Sequence, residues 1–418
     1  MEALLKKVEE HFRRKEWKEL EKASRKLFTS CREPRLKALA HGFKSYARAK
    51  QERDVEKIIT LLREAASAFK DVDELLHAMA TTERLLLLSV FDESNRGKHL
   101  KALGEFSLNR FLRTRDEGDI RLAIEALERA REHLAGGELA EVELNLTFCY
   151  GSLAEVSDNP EREYERVLTL CREMEERYSE NREMLARLKM NHATALQSLA
   201  RLRPEKALAL LDEAASLNRE AVQIFSELGT EAQLARALQS LANIYREAAN
   251  FSDAYLEKFI QVKVETSRLF SQAEYKTSAA LEELEAALAR VELAAKRGDT
   301  RGLDVALEEI GRACEVFKEQ GKSEELAHSL AAMGAAYRSR AKFSANAREE
   351  HLRKAVESYE EAIRIFAGGD NRTYLGTAKA ALAQVYRDLA ELTGRKEYTE
   401  KAEVLEREAE KLLEKRIE

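Results

Sequence analysis

Four tyrosines fix the length of the unit that this chain repeats. Tyr150, Tyr245, Tyr337 and Tyr386 each lie eleven residues after a leucine, at Leu139, Leu234, Leu326 and Leu375. Their separations of 95, 92 and 49 residues correspond to two, two and one copies of a unit about 46–49 residues long. A second marker gives the same period: Phe225, Phe270, Phe317 and Phe366 follow one another at 45, 47 and 49 residues. Two registers with one period demand a fold built by stacking similar pieces.

Each piece reads as two helices. Leu330, Met333, Gly334 and Tyr337 fall on one face of a first helix, and Ala355, Tyr359 and Ala362 on one face of a second. Small residues stand where two backbones must come close. Only three prolines and seventeen glycines occur in 418 residues, and 35% of the chain is charged, a balance that favours helix and leaves no sheet pattern. Gly229-Thr230 (with Gln233 placed for a capping box), Gly298-Asp299, Gly321-Lys322-Ser323 and Gly368-Gly369-Asp370 read as helix stops followed by caps. Asn159-Pro160 starts a helix without a glycine, and Gly118-Asp119 reads as a further stop and cap.

A Leu–Gly–aromatic helix followed by an Ala–aromatic–Ala helix resembles the tetratricopeptide repeat. The ordinary unit of that family is about 34 residues long. The dozen extra residues here imply helices of about twenty residues, as in the extended-helix branch with vesicle-fusion attachment proteins and bacterial peptide-sensing regulators. The resemblance implies an all-α, right-handed α-solenoid, a superhelix of antiparallel hairpins with about nineteen helices. Residues 1–134 form basic, irregular hairpins and residues 135–418 a regular array closed by a capping helix at its end. No Ser/Gly/Pro-rich linker interrupts the pattern, so one continuous array is expected.

The first hairpin carries Leu5, Val8 and Phe12 on one stripe and Leu20, Ala23 and Leu27 on the other, with Trp17 packed at the turn. Leu36, Leu39, Phe43 and Tyr46 follow, opposed by Ile58, Leu62, Ala65 and Phe69. Leu75 to Val90 reads as a strongly apolar helix.

No reaction chemistry is legible. Gly97-Lys98 lacks the earlier glycine and the following Ser or Thr of a phosphate-binding loop. The eight histidines make no metal-binding pattern, and His192 and His328 read as ordinary surface residues. The pairs Glu282-Glu283, Glu308-Glu309 and Glu360-Glu361 read as solvated helix faces. Cys31, Cys149, Cys171 and Cys314 are too dispersed for a disulfide framework. No catalytic residue, cofactor or metal is expected. The longest apolar run, Leu85–Leu88, is too short to span a bilayer, and the start lacks a signal peptide's apolar region, so a cytoplasmic protein is expected. Asn and Gln are scarce, which suits a heat-adapted protein and any long solvated helical array equally.

The resemblance directs attention to the first helices, which line the concave face of such stacks. If Leu238, Leu241 and Tyr245 pack inward, Arg236, Gln239, Asn243 and Arg246 share the opposite face. The same offset selects Arg187, Asn191 and Gln197, then His328 and Arg338, then Gln384 and Arg387. This basic, amide-rich row suggests a scaffold or adaptor that binds a peptide or helix of another protein, with an acidic segment favoured. A peptide-sensing regulator is the alternative. Exposed ion pairs contribute only ~0–1 kcal/mol each, so useful affinity requires apolar contacts as well, through Phe148, Met190, Ala331 or Ala335. A further alternative lies in residues 1–50, which hold 15 Lys/Arg against 7 Asp/Glu, leaving 55 against 69 in the remainder. That basic end, with Arg13-Arg14-Lys15, Lys22, Arg25, Lys26, Arg32, Arg35 and Lys37, suits nucleic-acid phosphates, although Phe12, Phe28 and Phe43 read as core.

Overall fold

A computed structural model of the chain describes residues 2–414 apart from 15, 32, 53–56, 58–59, 63, 66–67, 69–94 and 370. The described residues contain no strand, and seventeen α-helices among them have defined bounds. They fall into two compact units, residues 1–202 and 203–418. The first holds α1 (Glu2–Arg13), α2 (Trp17–Ser30), α3 (Pro34–Ala49), α4 (Arg96–Thr114), α5 (Glu117–Arg131), α6 (Gly136–Ala154), α7 (Pro160–Arg177) and α8 (Arg182–Leu202). The second holds α9 (Ala207–Leu228), α10 (Glu231–Ala248), α11 (Asp253–Gln272), α12 (Lys276–Arg297), α13 (Thr300–Glu319), α14 (Ser323–Lys342), α15 (Arg348–Ala367), α16 (Arg372–Thr393) and α17 (Lys396–Glu414). The division into compact units falls at 202/203. Leu75–Val90, Ile58 and Phe69 lie outside the described residues.

Within each unit, successive helices joined by short turns pack on one another, and from α6 onward they run 18 to 22 residues. Each pair is a helical hairpin of the extended length that the repeat period requires, with the fold class of an all-α solenoid. The first helices of neighbouring hairpins also touch, α4 with α6, α6 with α8, α12 with α14 and α14 with α16. Within each unit these hairpins therefore present one helix to a shared row.

The tyrosine marker has one structural role wherever it recurs. Tyr386 stacks on Tyr398 of the following helix, with Lys401 over both rings at 5.3 and 6.0 Å. Tyr245 meets Tyr255 at a tilt of 37° beneath Lys258, and Tyr337 stacks on His351 beneath Lys354. Tyr150 is covered by Arg166 of α7. The hydroxyls of Tyr150 and Tyr386 donate backward to Glu128 and Glu360 at 3.0 and 2.9 Å. Tyr150 and Tyr386 thus grip the helix before and the helix after, and all four carry a cation–π contact worth ~0.5–1 kcal/mol at such sites. The phenylalanine marker is core: Phe225, Phe317 and Phe366 are buried, and Phe270 is half-buried. Trp17 packs at its turn, edge-on to Phe12 and Tyr46.

Several turns differ in detail from the sequence reading. At the α4–α5 turn the left-handed residue is Arg115 (φ 57°) and the cap is Asp116, whose side chain accepts from the Asp119 N–H. Gly118 lies inside α5, and Asp119 is buried, accepting from Arg110 and Thr114. Asp116 wins because it stands three residues before a free N–H at the helix start. Thr230 makes no cap, since its hydroxyl donates back to the Phe225 carbonyl. Asn371 caps α16, and Gly368 keeps a negative φ. Gly298 (φ 66°) with the Asp299 cap, and Asn159 ahead of Pro160, behave as expected.

Gly334 shows why the repeat needs a small residue. A Cβ there would lie 2.7 Å from the buried Tyr359 ring of α15. Gly311, on α13, would place a Cβ in open space. Gly334→Ala is expected to cost ~1–3 kcal/mol through overpacking. Gly311→Ala should be neutral or stabilise by up to ~1 kcal/mol. Denaturant midpoints of the two variants check the contrast.

Candidate interaction face

The row of first helices is more ordered in its charges than an independently solvated surface. Lys98 pairs with Glu138, Lys101 with Glu141 and Arg115 with Glu155, each from α4 or its end to α6 or its end. In the second unit Arg246 of α10 reaches Glu292 of α12 at 2.8 Å, and Arg338 of α14 grips Asp388 of α16 in a two-pronged contact at 2.6 and 3.3 Å. Cations on one hairpin meet acids on the next.

This pattern relocates several of the residues singled out from the sequence. Arg246 and Arg338 are tied as just described, Arg246 also lying over Phe259, and Arg387 pairs with Glu406 of α17 at 2.6 Å. Gln239 accepts from Lys263 and donates to the exposed Asn243. Asn191 donates to the Thr147 hydroxyl of α6 at 2.7 Å. His328 is half-buried, edge-on to Phe366 and Tyr374, with burial lowering its pKa. Arg236 and Arg187 are exposed, and Arg187 lies close enough to Glu141 to act on its charge. The Lys101 ammonium is the main influence holding that carboxyl below its usual range. Gln197 is buried, and Gln384 is half-buried.

Three polar residues read as surface in the sequence are structural. His192 is buried, with Nδ1 2.8 Å from Glu175. Glu309 is buried and gripped by Arg290 at 2.9 and 3.0 Å. Glu282 is mostly buried beside Lys263, whereas Glu360 stays exposed while accepting from Tyr386. Helix-face arithmetic missed them because a long charged side chain can be drawn into an interhelical seam where a counter-ion waits. Glu143 is wholly buried, bonded by Arg131, Arg177 and Tyr178 so that α5, α6 and α7 meet at one carboxylate. Among the described residues no three His, Cys, Asp or Glu side chains converge to hold a metal. Burial pushes the Cys149 thiol up to about 12 and Cys314 to about 11, so neither is a ready thiolate. No helix among the described residues is long and apolar enough to cross a membrane.

The first unit opens a groove of about 320 Å3 on its first-helix row. Leu112 ends α4, Phe148 and Gly151 face in from α6, Tyr164 rises from α7, and Asn191 and Ser198 come from α8. Phe148 is 48% exposed and Leu112 43%, so the groove leaves apolar area open to water. The Arg115–Glu155 pair, 2.6 Å apart, closes one end. The sequence reading had reached Phe148 and Asn191 separately. It missed Gly151, whose signal was a glycine inside a helix with no cap or turn residue beside it.

No family model and no curated protein matches the sequence. Solved structures do resemble it in fold. A signal transduction ATPase with numerous domains carrying a tetratricopeptide repeat sensor, from Pyrococcus horikoshii, matches over 94% of this chain at 16% identity, with a TM-score of 0.46. This chain spans 52% of that one, about half its length. Aspartyl phosphate phosphatase F of Bacillus subtilis matches 96% of this chain and 94% of its own at 13% identity and TM-score 0.46. The nuclear import adaptor Nro1 of S. pombe matches 69% of this chain and 99% of its own at 14% identity and TM-score 0.41.

Lys263 supplies the sharpest test of the seam chemistry. Its side chain is 1% exposed, and its ammonium lies 2.8 Å from both Glu282 and Glu285 and 3.2 Å from Gln239, joining α10, α11 and α12. Burial already raises the Glu282 pKa, and Lys263 opposes that rise. Lys263→Ala leaves a buried carboxylate unpaired and is expected to cost ~3–5 kcal/mol at pH 7. Without the lysine Glu282 binds its proton more tightly folded than unfolded, so the deficit should shrink as pH falls toward 5. Urea melts of both proteins at the two pH values measure it.

Proposed function

We propose that this protein is a non-enzymatic scaffold that binds a segment of another protein along its first-helix row. The observation that carries the reading is the groove of the first unit, where Leu112 and Phe148 stay exposed on a row whose charges are otherwise largely satisfied by one another. A contact surface needs apolar area at its centre and gains little from exposed ion pairs. The pairing of Arg246, Arg338 and Arg387 argues against those three as the main anchors for an acidic segment, whereas Arg187 and Arg236 remain exposed to steer one. A photo-crosslinking amino acid placed at Phe148 should capture discrete protein adducts in extracts of the source cell, and the same group at Val404 on α17 should not. Equal labelling from both positions would refute the reading.

One observation favours a second reading, attachment to nucleic acid. Lys18, Lys22, Arg25 and Lys26 of α2 border a shallow concavity of about 600 Å3 with Thr29 and Gln51. Glu21, the single acid there, is occupied by Arg25, Arg48 and Gln51. Of the other basic residues of that end, Lys15 and Arg32 lie outside the described residues. Phe28 lies beneath Lys44, away from the concavity lining. With three or so phosphates contacted, duplex affinity would fall with a log–log salt slope of about −3. Filter retention of a DNA duplex across a salt series, for the native chain and Lys18→Glu/Lys26→Glu, decides it; no salt-sensitive retention disposes of this reading.

A further inference from the structure

We infer that the groove of the first unit is an anchor site for one uncharged, apolar side chain of a partner segment, seated over Gly151. The inference rests on the scaffold reading and specifies what the groove selects. Gly151 lies in α6, three residues before its end, where glycine weakens a helix relative to alanine. Its φ is not positive, and a Cβ there would meet no heavy atom within 4 Å. Neither a left-handed turn nor a close approach explains it. The contrast is with Gly104 and Gly334, whose missing Cβ atoms would strike Leu127 and Tyr359 at 2.5 and 2.7 Å. Open space alone does not mark a site, since Gly311 has it too. Gly151 differs because the space above it is the groove, bordered by Phe148, Leu112 and Tyr164.

The lining also fixes the chemistry of the occupant. Arg115 and Glu155 are its only charged members, and they satisfy each other. Asn191 and Thr147 are likewise engaged, the amide donating to the hydroxyl and the hydroxyl donating to the Leu144 carbonyl. A carboxylate or ammonium entering would give up water and meet a cation and an anion that already face each other. An aliphatic or aromatic side chain would instead cover the exposed faces of Phe148 and Leu112 and gain from their burial. The volume of about 320 Å3 is at the lower limit of ligand-sized pockets, which suits a single anchor rather than a whole helix face.

The test is a selection. A random dodecamer peptide library displayed on phage is panned on the full chain, with Gly151→Trp as the counter-selected protein. Thermal melts first establish that Gly151→Trp folds, and Gly151→Leu serves if it does not. Enriched peptides should share one Leu, Ile, Met, Phe or Trp position without Asp or Glu at it. They should lose at least about tenfold in affinity for Gly151→Trp, the scale set by filling an apolar pocket, and also for Phe148→Asp. Peptides that carry an acidic anchor and fail on Arg236→Glu but not on Gly151→Trp would overturn the inference and leave the scaffold reading standing. Recovery of no peptide would remove both. A chain that self-associates through the groove, with dimerisation lost in Gly151→Trp, would show a second copy as the occupant and overturn it too.

Discussion

Each hairpin of this chain is one helix pair thick, so its apolar stripe can leave water only against the next hairpin. Phe317, Ile310 and Leu303 of α13, all fully buried, are shielded with Ala332 and Ala336 from α14 and Leu284 and Val291 from α12. Stability in such a stack is a sum of nearest-neighbour contacts. The alanines that crowd these seams matter for that reason: they set how close two backbones come, and hence how completely the larger side chains are covered.

On that apolar base lies a second layer of specificity. The tyrosine clips join the first helix of a hairpin to its partner and, at Tyr150 and Tyr386, through the hydroxyl to the helix before. The buried ions at Glu143, Lys263 and Glu309 each join helices at a single point and tolerate little displacement. Apolar seams alone would allow neighbouring helices to slide by a turn. A charge buried against one particular counter-ion does not.

The period, the hairpin unit, the helix lengths and most core stripes were legible because they depend on regular spacing. Tyr245, Tyr337 and Tyr386 announced their shared surroundings through eleven-residue offsets from leucines. What the sequence concealed depends on contacts between residues 19 to 50 apart. Nothing in Glu309 or Glu282 alone says that Arg290 or Lys263 will enclose it, and nothing in Arg338 says that Asp388 is waiting. Turn details failed for a local reason, since several Asp, Asn, Gly and Thr residues near one turn compete for the same N–H groups, as Asp116 and Asp119 do. The groove was half legible: its aromatic and its amide stood out, while the empty space between them has no letter.

The cross-hairpin pairs on the first-helix row have a mechanical consequence. Arg246 and Glu292 are 50% and 38% exposed, so dissolved ions screen them, whereas the aromatic clips and buried seams scarcely respond. Raising ionic strength slackens the struts while leaving the hinges intact. Each stack then behaves as a spring whose compliance is set by the brine around it.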